Sequence, residues 1–229
     1  MSPSNRPSRP LIVTIDGPAG AGKTTVSKLL AKQLGYRYLD TGALYRGVAV
    51  AARQAGVSPE DDAGLEVLCR SIKLDLIPQE EGLRLLLNGD DITALIRTPQ
   101  ISMLASAVSA RPVVRAFLMS TQRDLAARKG VVAEGRDMGT VVFPEAEAKF
   151  FLDADAQIRA RRRYEELNGT AEAPSLASVE GQMRQRDRND ATRAVAPLQP
   201  AADAIRIDST HLSLAQVVER MLLHIHRIA

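Results

Sequence analysis

The sequence predicts an α/β protein: a parallel five-stranded sheet with helices on both faces, interrupted by a small antiparallel insert and completed by a helical lid. Three observations predict it. An apolar, β-branched run at Leu11-Ile12-Val13-Thr14-Ile15 stops at glycines and is followed by residues at helical spacing. Short apolar runs recur at 36–40, 130–134, 148–153 and 204–208, with helical stretches between them. That alternation gives parallel strands joined by crossovers. Residues 72–92 break the alternation with period-two runs around an Asn-Gly turn, which reads as antiparallel strands.

The first run reads as a buried parallel strand because it is apolar on both faces. It leads into Gly17-Pro18-Ala19-Gly20-Ala21-Gly22-Lys23-Thr24, the pattern G-x-x-x-x-G-K-[ST]. In such a loop backbone N–H groups turn inward onto phosphate oxygens, the lysine reaches the β- and γ-phosphates, and the hydroxyl holds Mg²⁺. Gly17 through Thr25 are therefore expected to hold a nucleoside triphosphate, with Lys23 as a catalytic cation and Thr24 as the metal ligand. A helix starting near Lys23 adds its positive end. Val26, Leu29, Leu30, Ala31 and Leu34 keep helical spacing, and Gly35 stops the helix.

Residues 36–40 form a short second strand that meets Thr41-Gly42, and a helix follows from about Ala43 to Ala55, ended by Gly56. An acidic, proline-containing joint at 58–62 leads into a helix ending near Ser71. Residues 72–76 and 83–87 alternate, joined by 78–82, and Asn88-Gly89 turns the chain toward Asp91-Ile92. Helices over 99–108 and 112–128 each carry proline in the first turn. Core strands at 130–134 and 148–153 bracket Gly135-Arg136-Asp137-Met138-Gly139-Thr140. A helix after Asp155 carries Arg159, Arg161, Arg162 and Arg163, breaks at Asn168-Gly169-Thr170, and resumes from about Ser175 to Asp190. Residues 191–202 connect to the last strand, 204–208, and a terminal helix spans 211–228.

This gives one domain over 11–229: a core of 11–64, 111–156 and 194–229, an insert of about 65–110 and a lid of about 157–193. Residues 1–10 are expected to be a disordered tail. The 229 residues are enough for such a domain, and 45% hydrophobic with 25% charged residues is ordinary for a globular protein. No apolar run approaches a membrane span, and the N-terminus lacks the apolar core of a secretion signal. Cys69 is the single cysteine, so no internal disulfide forms, which fits the cytoplasm. The net charge is +3, without tryptophan and with four each of Tyr and Phe. Too few aromatics accompany the arginines for stacked single strands, and pockets for small phosphates suit them better.

Ligands of open parallel sheets bind at the carboxyl ends of the strands. The phosphate loop, Asp40-Thr41 and Gly135-Arg136-Asp137 all fall there. A GTPase switch would carry Asn-Lys-x-Asp, and no asparagine here precedes a lysine. A small-molecule kinase remains, needing covers that exclude water and cations that arrive with them. Arg162, Arg186 and Arg193 are candidates for those cations, whereas Arg161 reads as part of a solvated helix face. A nucleotide-binding protein without turnover is the competing class.

The chain resembles bacterial cytidylate kinases, within the nucleoside monophosphate kinase group, from Ile12 to its end. The carriers are Ile15 to Lys23, then Asp40-Thr41-Gly42-Ala43-Leu44-Tyr45-Arg46, Gly135 to Pro144, and Arg193-Ala194-Val195-Ala196-Pro197-Leu198. The resemblance implies ATP- and Mg²⁺-dependent transfer to CMP or dCMP by a monomer, with no nucleic acid or membrane partner. It makes the insert the monophosphate-binding subdomain. Thr41, Arg46, Arg136 and Arg193 would hold the CMP phosphate, with Tyr45 lining that site. Arg186 and Asp190 would meet the ribose, and Ser106, Arg115 and Asp137 would read cytosine. The catalytic cations would be Lys23, Arg136, Arg162 and Arg186. A kinase for UMP or another small acceptor is the alternative.

Overall fold

Strand β1 (Ile12–Asp16) has both faces covered, with Val13, Thr14 and Ile15 fully buried. Such burial marks the interior strand of a parallel sheet. The structure is a computed structural model and describes residues 7–79, 82–167 and 174–229. After β1 come α1 (Lys23–Leu34), β2 (Arg37–Asp40), α2 (Thr41–Ala55), α3 (Asp62–Ser71), β3 (Leu74–Gln79), β4 (Gly82–Leu87) and β5 (Asp90–Asp91). A 3-10 turn, Leu95–Arg97, precedes α4 (Pro99–Ser109) and α5 (Pro112–Ala126). Then follow β6 (Val131–Gly135), a π-helical turn (Met138–Val142), β7 (Ala148–Asp153), α6 (Ala156–Leu167), α7 (Leu176–Thr192), β8 (Ile205–Asp208) and α8 (Leu214–Ile228). The expected helix break at Asn168-Gly169-Thr170 lies outside the described residues, as do Glu80 and Glu81.

The chain divides into two compact units. One runs to Leu39 and resumes over Arg128–Thr192 and Pro197–Ala229; the other is Asp40–Ala127 with Arg193–Ala196. The first holds the five-stranded sheet, in the order β2-β6-β1-β7-β8. Strand β1 pairs in parallel with both β6 and β7, so Asp16 lies level with Gly135 and Phe151. The chain crosses from β1 to one side of the sheet and later returns to the other, which opens a crevice at the carboxyl end of β1. Leu30 and Leu34 of α1, Phe150 of β7 and Val218, Met221 and Ile225 of α8 close the core of this unit. Ser213 caps α8 with a reciprocal capping box through Gln216.

The second unit is larger than the expected insert of 65–110, and Arg193 belongs to it rather than to the lid. The reason is α2. Its residues from Ala43 to Ala52 are buried apart from Arg46. They share one apolar cluster with Leu65 and Leu68 of α3, Leu85 and Leu87 of β4, Ile101 and Val108 of α4, and Val114 and Leu118 of α5. A helix apolar nearly all round belongs inside a core. The small sheet is antiparallel, in the order β3-β4-β5, with Leu74 opposite Leu87.

Part of the expected disordered tail is held in place. Ser8 donates to the Ala229 carbonyl, and the Tyr36 hydroxyl donates to the Arg9 carbonyl at 3.2 Å. Among the described residues no single helix is long and apolar enough to cross a membrane; the apolar pair α4–α5 turns through 98° at its junction.

Candidate functional site

The phosphate loop occupies residues 17–22, between β1 and α1. Gly17 has φ 149°, and a Cβ there would stand 1.9 Å from the Leu152 carbonyl oxygen. Gly20 has φ 73°, and its Cβ would fall 2.6 Å from the Arg159 carbonyl oxygen. No other residue fits either place, so the loop is pressed onto β7 and α6 by its glycines. Lys23, at the start of α1, folds its ammonium back to donate to the Pro18 carbonyl at 2.7 Å. Burial holds that ammonium well below the usual lysine range; Arg136 and Arg186 push the same way, while Glu134 and Asp16 oppose. Lys23, Arg136 and Arg186 are thus crowded cations, an arrangement that a polyanion relieves.

Beside the lysine, the Thr24 hydroxyl donates to Glu134 Oε1 at 2.8 Å, and the Tyr38 hydroxyl donates to the same oxygen at 2.5 Å. Glu134 is 4% exposed. Sequence reasoning assigned it no role, although a carboxylate in the wholly buried strand β6, Val131–Gly135, is a legible signal. A hydroxyl and a carboxylate oxygen 2.8 Å apart, next to a phosphate loop, suit a hard cation that keeps most of its shell for water and phosphate. The oxygens of Thr24 and Glu134 therefore fit Mg²⁺ in kind and spacing.

After β6 the chain presents Arg136 and Asp137. Arg136 Nε donates to Asp190 Oδ2 at 2.9 Å, and Arg186 Nε lies 4.0 Å from the same oxygen. The structure therefore brings together three of the expected residues, Arg136, Arg186 and Asp190, with Asp190 buried between the two guanidiniums. Asp137 is 2% exposed, and its carbonyl accepts from Val141 and Val142 across the π turn.

The two lid helices carry their arginines differently. Arg162 donates to Ser209 through Nη1 (3.1 Å to Oγ) and Nη2 (2.8 Å to the carbonyl), and Ser209 Oγ donates to the Ala21 carbonyl at 3.2 Å. Arg162 thus braces the phosphate loop through Ser209. Arg159 is buried and makes a stronger set: Nε to the Ala154 carbonyl at 2.9 Å, and Nη1 to the Ala19 carbonyl at 3.1 Å and to Asp187 at 2.6 Å. It ties the phosphate loop to α7. Arg161 pairs with Glu165 on an open face.

In the second unit, Asp40 rather than Thr41 caps α2: Ala43 N–H donates to Asp40 Oδ1 at 2.9 Å, and Oδ2 pairs with Arg46 at 2.8 Å. Thr41 is the first residue of the helix and is buried. Arg115 is 4% exposed, donates to the Ser109 carbonyl at 3.4 Å, and lies 5.9 Å from the Tyr45 ring centre. Arg193 Nη1 donates to Ser109 Oγ at 3.0 Å, and Ser109 Oγ donates to the Ser106 carbonyl at 2.8 Å. Tyr45, Ser106, Arg115 and Arg193 are therefore linked through Ser109. Sequence reasoning missed Ser109; its signal was a serine three residues after Ser106 on the same face of α4.

A glycine-built phosphate loop at the carboxyl end of a central parallel strand, with half-buried arginines near its lysine, defines a P-loop kinase. The fold agrees: a gluconokinase from Sinorhizobium meliloti 1021 aligns with TM-score 0.50 at 16% identity, over 96% of this chain and 94% of that one. An uncharacterized protein from Eubacterium ventriosum aligns at 0.53 with 13% identity, over 96% and 99%. The chain belongs to the cytidylate kinase family, whose profile matches residues 13–227. Similar proteins named cytidylate kinase come from Citrifermentans bemidjiense, 51% identical over 92% of this chain and 91% of the relative, and from Pseudomonas fluorescens SBW25, 49% identical over 93% and 94%.

Proposed function

We propose that the chain transfers the γ-phosphoryl group of ATP to CMP or dCMP, giving ADP and CDP or dCDP. The observation that carries this is the crowding of Lys23 by Arg136 and Arg186, three cations gathered at a phosphate loop. An acceptor phosphate oxygen forms the new bond to γ-phosphorus, and the bond from γ-phosphorus to the β,γ-bridging oxygen breaks with its electrons left on ADP. The acceptor phosphate has a second pKa of about 6, so it is ionised at neutral pH and needs no general base. What the protein supplies is position and charge.

In this role Lys23 holds the β- and γ-phosphates, and Gly17 to Thr25 wrap them. Arg136 and Arg186 are assigned to the charge that spreads over the transferring group, and Arg162 to holding the loop through Ser209. Bound at Thr24 and Glu134, Mg²⁺ would neutralise phosphate charge. Thr41, Tyr45, Arg46 and Arg193 of the second unit are assigned to the acceptor phosphate; Asp190 and Arg186 of the first to its ribose; and Ser106 and Arg115 of the second, with Asp137 of the first, to its base. An ionised Asp137 accepts from the cytosine amine and repels the uracil carbonyl, while Arg115 donates to the cytosine ring nitrogen and 2-carbonyl. The cytoplasm and a monomeric state complete the proposal. Burial pushes the Cys69 thiol up to about 11, so it stays an inert thiol.

Coupled ADP release with ATP and a panel of CMP, dCMP, UMP, AMP and gluconate tests it. Turnover confined to CMP and dCMP is expected. Equal turnover of UMP would make the alternative acceptor the better account, and none at all would leave a binding protein.

A further inference from the structure

Asp16 is the last residue of β1, immediately before the phosphate loop, and is 3% exposed. Nothing above gives it a task. Its carboxylate accepts two backbone N–H groups from the π turn, one on each oxygen: Met138 to Oδ1 at 2.9 Å and Gly139 to Oδ2 at 2.8 Å. Arg136 and Asp137 are the two residues immediately before that turn. The carboxylate therefore pins the origin of the Arg136–Asp137 pair to the strand that launches the phosphate loop.

A buried carboxylate is a costly way to make such a joint. Burial pushes the Asp16 carboxyl up to about 6, with the charge of Asp137 adding to the rise, while the two N–H bonds and Lys23 hold it down. The charged groups around it are Asp137 at the start of the turn, Lys23 on α1, Arg136 beyond Gly135, Glu134 on β6, and Lys149 on β7. The Lys149 Cδ would lie 3.3 Å from a Cβ at Gly139. Burial outweighs the bonds, so the ionised clamp weakens the fold at neutral pH. A group that costs stability where two N–H donors converge points to function.

We propose that Asp16 is the positioning residue that sets Arg136 and Asp137 against the phosphate loop, and that it does so only while ionised. A protonated carboxyl has one good acceptor oxygen left for two N–H groups, so one bond fails and the turn loosens. The consequence for the acceptor rests on the roles given above to Arg136 and Asp137; the clamp itself does not.

The test is a ¹⁵N–¹H titration of the full chain, read at the Met138 and Gly139 amides, beside the Asp16→Asn variant. Both amide shifts should titrate together near pH 6 in the parent and stay flat in the variant. Asp16→Asn should raise the CMP KM about tenfold to a hundredfold, the cost of a small misplacement, and leave ATP binding within about twofold. Its melting temperature relative to the parent's should fall as pH drops through 6, because only the parent sheds a buried charge there. The acid limb of kcat/KM for CMP should be steeper in the parent, where both Asp16 and the acceptor phosphate titrate. Amide shifts that do not titrate, that titrate equally in Asp16→Asn, or an unchanged CMP KM would overturn the proposal. The parent titration decides the clamp even if the variant fails to fold. A CMP/UMP ratio untouched by Asp137→Asn, with the Asp16 results as expected, would remove Asp137 from base reading and leave the clamp standing.

Discussion

Asp16, Lys23, Glu134, Asp137, Lys149, Arg159 and Asp190 are all buried charged side chains of the unit that carries the phosphate loop. Over its described residues the second unit buries one, Arg115, among Thr41, Ser106, Ser109 and Gln122. The first unit must present fixed positive charge to a triphosphate whatever the acceptor is, and it holds that charge with carboxylates and backbone carbonyls. The second unit is an apolar helical body whose buried polar side chains, over its described residues, are Thr41, Ser106, Ser109, Gln122 and one arginine, Arg115. Under the proposed function the first unit supplies fixed charge and Asp137, at a cost in stability, and the second supplies hydroxyls and one buried arginine to the acceptor.

Lys23→Met should break the first side of this contrast most severely. Loss of one preorganised cation on the transferring phosphates should lower kcat by about 10²–10³-fold. The variant should melt at or above the parent, because burial already disfavours that ammonium. Normal turnover in a folded variant would remove Lys23 from its role. Leu118→Ala should do the reverse in the second unit: about 2–5 kcal/mol of stability lost to the cavity by denaturant unfolding, with turnover per folded molecule retained.

Two carboxylates sharpen the contrast through pH. The Asp16 carboxyl is raised from 3.8 to about 6 in the folded chain. Its cost to stability is full above pH 6 and fades as pH falls toward 3.8. Asp91, on the exposed β5, is lowered from 3.8 to about 2 by its hydrogen bonds to Thr93 and its contact with Arg84. Its contribution is full above pH 3.8 and is lost as pH falls to 2. The stability of the parent relative to Asp16→Asn should therefore improve as pH falls from 6 toward 3.8, because only the parent sheds the charge. Asp91→Asn should destabilise slightly at neutral pH, and the difference should vanish in strong acid. Melting temperatures across pH check both signs.

Arg115→Met keeps bulk and removes the buried charge of the second unit. A lost hydrogen bond to a charged group is worth about 1.5–3 kcal/mol, so the acceptor KM should rise about tenfold to a hundredfold with ATP binding unchanged. Equal weakening of ATP would show that Arg115 serves the whole fold rather than the acceptor. Tyr38→Phe should have the smallest effect. It removes one bond to Glu134 and leaves Thr24 in place. A loss of about 0.5–1.5 kcal/mol should appear as a few-fold higher Mg²⁺ requirement in nucleotide binding, with binding in the absence of metal unaltered.

The parts of the molecule written in short stretches were legible in the sequence. The strand, phosphate loop and helix from Leu11 to Gly35, the hairpin ending at Asn88-Gly89, and the proline-started helices α4 and α5 follow from local spacing and turn chemistry. Contacts made across long stretches of chain were not. Glu134 meets Thr24 and Tyr38, Asp16 meets Met138, and Arg162 meets Ser209, none of them within a helix turn. The boundary at Asp40 was missed because α2 reads equally as a crossover helix of the sheet; its alanine-rich stretch, apolar all round, was the clue. The Asp40 cap was masked by Thr41, an equally good capping residue one position later. The π turn at Met138–Val142 carries no cap or period of its own and is held from outside by Asp16.

The most direct measurement of the central claim is the ratio of kcat/KM for CMP to that for UMP, in the parent and in Asp137→Asn. The account predicts a parent ratio of about ten to a hundred, since a matched pair against a base edge is worth about 1–3 kcal/mol. It predicts that Asp137→Asn brings the ratio toward one, because the amide can rotate and donate to uracil. A parent ratio near one, or a high ratio that survives Asp137→Asn, would contradict it.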